Sequence, residues 1–186
     1  MPTMTVTNPE ADQEVAALIT KSYEMITSHW RAIIPELKVT IAAKPFNRIP
    51  QLKSFCDEQN KQPDWKRSEW KYIQVVCPEY DDKEAILWVR FDRQSIMASP
   101  DYYLQKEFFA VVAKLMWCIS ERIRNEAKRY ATGMAAQYEG AAYLVFRDTF
   151  SRFFLNPEYL RERKEDAWCF ISLIDQSLSQ ARPIPA

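Results

Sequence analysis

The stretch Ser99-Pro100-Asp101-Tyr102-Tyr103-Leu104-Gln105-Lys106-Glu107-Phe108-Phe109-Ala110-Val111-Val112-Ala113-Lys114-Leu115-Met116-Trp117-Cys118-Ile119 decides how the rest of the chain is read. Ser99 offers a hydroxyl cap, Pro100 a ring suited to the first helical position, and Asp101 an acid for the first turn. Leu104, Phe108, Val111, Val112, Leu115 and Ile119 then recur at steps of three and four, which makes one helix face continuously apolar. Phe109, Ala113, Met116 and Trp117 widen that stripe until the middle of the helix is apolar nearly all round. Such a helix belongs inside a domain. The pattern predicts a central helix that runs on through Ser120-Glu121-Arg122 to about Arg129.

Working back from it, Leu37-Lys38-Val39-Thr40-Ile41-Ala42 alternates apolar and polar residues as a half-buried strand does. Trp70 to Cys77 and Ala85 to Phe91 read as two more strands, joined by an acidic connection from Pro78 to Glu84. Between Pro50 and the second strand, a short helix is predicted near Gln51 to Cys56. It is followed by a polar loop from Asp57 to Lys71 that carries Trp65 and Trp70. Ahead of the sheet, Asn8-Pro9-Glu10 caps a predicted helix running to about Arg31, and residues 1–8 read as a frayed end.

Working forward, helices are predicted from about Ala135 to Leu155 and from Glu165 to about Ser179, with Asn156-Pro157-Glu158 starting a short turn of helix between them. Arg182-Pro183-Ile184-Pro185 cannot continue a helix, so 181–186 is expected to be a flexible end. The fold class is therefore α+β in one domain spanning 1–186: a small antiparallel or mixed sheet packed on a long central helix, with further C-terminal helices.

Composition narrows the chemistry. A hydrophobic content of 47% supports a packed core, and 25 basic residues balance 25 acidic ones, so no overall field draws the chain to nucleic acid or an anionic membrane. Two glycines, Gly133 and Gly140, are too few for a phosphate-cradling loop of the Walker or dinucleotide kind. Cys56, Cys77, Cys118 and Cys169 show no CxxC spacing. No secretory segment and no apolar run of about 20 residues is read, so these are expected to be reduced, mostly buried thiols in a cytoplasmic protein without a membrane partner. His29, the sole histidine, is expected to sit near a helix end and interact with its dipole. It is also the sole imidazole available as a base for a nucleophilic Cys118.

The order of elements resembles a zincin metallopeptidase domain, in which a small sheet precedes a long helix bearing His-Glu-x-x-His. The frame Val111 to Ile119 is similar to that motif but sets Ala113 and Trp117 where the histidines stand, and Lys114 where the glutamate stands. Downstream, Arg147-Asp148-Thr149-Phe150-Ser151-Arg152-Phe153-Phe154-Leu155-Asn156-Pro157 looks like the family's third-ligand helix and puts Asp148 at the ligand position. The resemblance thus implies a zincin-like fold with a degenerate metal site at Ala113, Lys114, Trp117 and Asp148. Neither alanine nor tryptophan ligates zinc, and a lysine cannot replace the water-activating carboxylate. No metal and no cofactor is expected, and the resemblance points to a pseudoenzyme. In that frame Lys114 pairs with Asp148 while Trp117 fills the remaining volume; the alternative is that Lys114 reaches solvent and Asp148 faces outward.

The leading expectation is a non-catalytic protein that works by protein binding, in a regulatory or mobile-element setting. Trp65, Trp70 and Tyr80, the last within Glu79-Tyr80-Asp81-Asp82, are its candidate anchors. For the two tryptophans, folding back on the body is the competing reading. Nucleic-acid binding is a second class, carried by Arg122, Arg124, Lys128 and Arg129 and by Arg161, Arg163 and Lys164. Interspersed acids favour a solvated face over a phosphate site. An enzyme with an unrecognised site is the third.

Overall fold

The computed structural model describes residues 3–59, 75–92, 99–131 and 142–180. They pack as two compact units, one drawn from Pro2–Glu24 and Pro35–Phe108, the other from Met25–Ile34 and Phe109–Ala186. The architecture is α+β, with a mixed sheet.

The first unit holds four strands, β1 (Met4–Thr7), β2 (Glu36–Ile41), β3 (Val75–Tyr80) and β4 (Glu84–Val89), in the order β1-β2-β4-β3. β1, β2 and β4 run parallel, and β3 returns antiparallel beside β4. The register sets Leu37 beside Ala85, Val39 beside Leu87 and Ile41 beside Val89. All six are fully buried, so the period-2 alternation builds rows of apolar residues on one face. On the other side of the sheet residues, Phe46, Ile49, Leu52 and Cys56 form a second cluster with Val76, and Trp88 packs against it. Phe46 and Leu52 come from two 3₁₀ turns, and Cys56 from the helix that follows them, α3 (Lys53–Gln59). The helix expected near Gln51 to Cys56 thus extends to Gln59, and 60–74, with Trp65 and Trp70, lies outside the described residues.

β1 corrects the frayed start. Met4-Thr5-Val6-Thr7 finds a parallel partner in β2, and the Thr7 hydroxyl donates to the Val39 carbonyl oxygen at 3.2 Å. A ladder partner more than 30 residues away leaves no local trace. Asn8, with φ 56°, turns the chain out of the strand while its amide donates to the Ile41 carbonyl at 2.8 Å; asparagine tolerates this left-handed conformation. Helix α1 (Gln13–Met25) is therefore capped by Asp12, which accepts from the Val15 amide at 3.0 Å, and not by Asn8. It stops short of Arg31, because Thr27 is extended (φ −66°, ψ 159°), and a separate turn, α2 (Ser28–Arg31), follows.

The long helix α4 (Pro100–Ile119) contributes 100–108 to the first unit and 109–119 to the second. In the first, Gln105 donates through its side-chain amide to the buried Ser22 hydroxyl at 3.2 Å. The second unit adds α5 (Glu121–Tyr130), α6 (Ala142–Leu155), α7 (Pro157–Arg163) and α8 (Glu165–Ser179). Its centre is aromatic: Trp30, Phe109, Phe146 and Phe150 are fully buried. Trp30 meets Phe150 edge-on at 5.1 Å, a favoured geometry for π-systems.

The predicted central helix to Arg129 is two helices. Ser120 leaves the helical region (φ −100°, ψ 106°), and its hydroxyl oxygen accepts from the Ile123 amide at 3.2 Å, starting α5. Arg124 reaches back and donates to the Trp117 and Cys118 carbonyl oxygens at 2.7 and 2.8 Å, closing α4. Asn156 caps α7 as its Asn-Pro signature predicts, accepting from the Tyr159 amide at 3.1 Å.

Candidate functional site

The four positions of the degenerate metal site are dispersed. Ala113 is fully buried in the core, Lys114 is exposed, and Trp117 is half-buried. The Trp117 ring packs on α6, 5.6 Å from Tyr143 and 6.2 Å from Phe146. Asp148 lies two residues past Phe146, about 200° around the helix, and its carboxylate accepts from the Arg152 Nε at 3.0 Å. No hydrogen bond or ion pair joins any two of the four, so the Lys114–Asp148 pair does not form. The reason is local: Lys114 stands on a wet face, and Asp148 has a cation one turn along its own helix.

Asp148 belongs instead to a groove of about 460 Å³ where α6, α7 and α8 meet. Arg152 forms one wall, with its guanidinium 5.4 Å from the Tyr159 ring centre. Burial works against the Arg152 charge, but Asp148 and Tyr159 outweigh it and hold its pKa above the ordinary value. The remaining charged lining, Arg163, Lys164, Glu165 and Asp166, is exposed and of both signs. These charges suit the helix ends that carry them, cations at the end of α7 and acids at the start of α8.

His29 is the second place where chemistry could gather. Its Nε2 lies 2.7 Å from the Asp175 Oδ1 on α8, and the indole N–H of the fully buried Trp30 donates to the same oxygen. The Thr27 hydroxyl lies 3.2 Å from Nε2 and 3.4 Å from Nδ1. An oxygen almost equidistant from both ring nitrogens lies along the lone pair of neither. It is badly placed to exchange a proton with the ring. The arrangement is a clasp between α2 and α8; His29 does lie in the last turn of α2, as expected, and the contact to Asp175 adds a partner on another helix.

Three of the four residues in the first basic cluster have partners, while Lys128 and the second cluster, Arg161, Arg163 and Lys164, are exposed. Arg122 donates to the Ser177 carbonyl oxygen and hydroxyl, which closes α8, and Arg124 closes α4. Arg129 stands over the Tyr130 ring at 5.3 Å. Of the thiols, Cys56 is buried, and burial together with the neighbouring Asp57 charge pushes its pKa up to about 11. Cys118 and Cys169 are exposed, which corrects the expectation of mostly buried thiols; they fall on the outer faces of α4 and α8.

Tyr80 is 45% exposed at the tip of the β3–β4 hairpin, beside the exposed Glu79, Asp81 and Asp82. Asp81 Oδ1 accepts from the Lys83 and Glu84 amides at 2.8 and 2.7 Å. Those two bonds, led by the one from Glu84, hold its carboxyl below the usual range. Asp81 therefore shapes the turn, and Tyr80 stands on a built support.

No protein-family model matches the chain, and no curated protein is detectably similar to it. Among the described residues, no helix is long and apolar enough to cross a membrane.

Proposed function

We propose that this chain works by binding another protein, as a zincin-like pseudoenzyme in a regulatory or mobile-element setting, with the β3–β4 hairpin tip in its docking surface. The observation that carries the reading is Tyr80, a large aromatic ring exposed on a tip whose turn Asp81 has already fixed. A preformed tip loses little conformational entropy on docking, and tyrosine is a frequent energetic anchor of interfaces. Glu79 and Asp82 beside it fit a partner with a basic rim around an apolar pocket. The non-catalytic half is supported by residue chemistry: Ala113 and Trp117 have no donor for zinc, and the sole imidazole is held in the Asp175 clasp. Trp117 packing on α6 supports the zincin-like part of the reading, and Asp148 on the far side of α6 counts against it.

Site-specific photocrosslinking tests the tip. A crosslinker at position 82 should capture a discrete protein in cells, and Tyr80→Ala should abolish that capture. If capture from position 82 is unchanged by Tyr80→Ala, the tip is not the docking surface.

A further inference from the structure

We draw no further inference here: the strongest candidate, the groove where α6, α7 and α8 meet, is lined beyond its internal Asp148–Arg152 pair by exposed charges of both signs at two helix ends, so it rests on a helix N-terminus with nothing in the structure to show what fills it.

Discussion

The sheet unit and the helical unit finish their backbones differently. In the sheet unit, β1, β2, β4 and β3 satisfy one another through the ladder, and side chains add local touches such as Thr7 on Val39 and Asp81 in the hairpin. In the helical unit, every helix end needs a partner the helix cannot supply. Side chains supply several of those partners: Ser120 and Asn156 start helices, and Arg124 and Arg122 close them. Asp175 separately binds the side chains of α2 to α8. The comparison teaches that several polar residues of the helical unit that look available for chemistry, among them His29, Arg122, Arg124 and Asp148, are already used by its architecture. In the sheet unit, the polar tip leaves Tyr80 45% exposed.

Four changes would break or sharpen that contrast. The largest effect is expected from Trp30→Ala, which removes a fully buried ring from the aromatic centre and should cost about 3–5 kcal/mol in denaturant melts. A loss below about 1 kcal/mol would mean the helical unit does not rest on this ring.

Asp175→Ala comes next. It leaves the buried Trp30 indole N–H without its acceptor and should cost about 1–3 kcal/mol. An unchanged midpoint would show that the clasp contributes nothing to stability.

Ser120→Ala removes the cap that starts α5 and should cost about 1 kcal/mol. Helical signal should be lost mainly from Glu121 to Tyr130; a uniform loss across the helical unit would contradict a purely local cap.

The smallest effect is on the hairpin. The Asp81 carboxyl is lowered in the folded chain, so its contribution is present above the ordinary carboxylate range and is lost as pH falls through its folded value. Amide resonances of Lys83 and Glu84 should shift through that low-pH window while those of β2 stay in place. Resonances that do not respond would mean Asp81 does not hold the turn.

What the sequence made legible follows from the range of each interaction. The β2 and β4 alternation, the Asn156-Pro157 start of α7 and the bounds of α8 are written within a few residues of themselves, and each is found where it was read. β1 was not legible, because four short residues become a strand only against β2. The break at Ser120 had a local signal, a serine before Glu121, that the unbroken apolar stripe around it concealed. The clasp could not be read at all: Trp30 and Asp175 are 145 residues apart. Asp148 was read onto a metal-facing position from its surroundings in sequence, yet helix geometry turns it away from the face that carries Phe146 and toward Arg152.

The most direct test of the account compares two variants against wild type in one affinity titration with the captured partner. His29→Gln keeps an N–H donor near Asp175 but removes the imidazole, and Tyr80→Ala removes the exposed ring. The account predicts that His29→Gln binds within about twofold of wild type, while Tyr80→Ala binds about tenfold more weakly or worse, a loss of roughly 1.4 kcal/mol or more. A folded Tyr80→Ala that binds like wild type, beside a folded His29→Gln that does not, would contradict it.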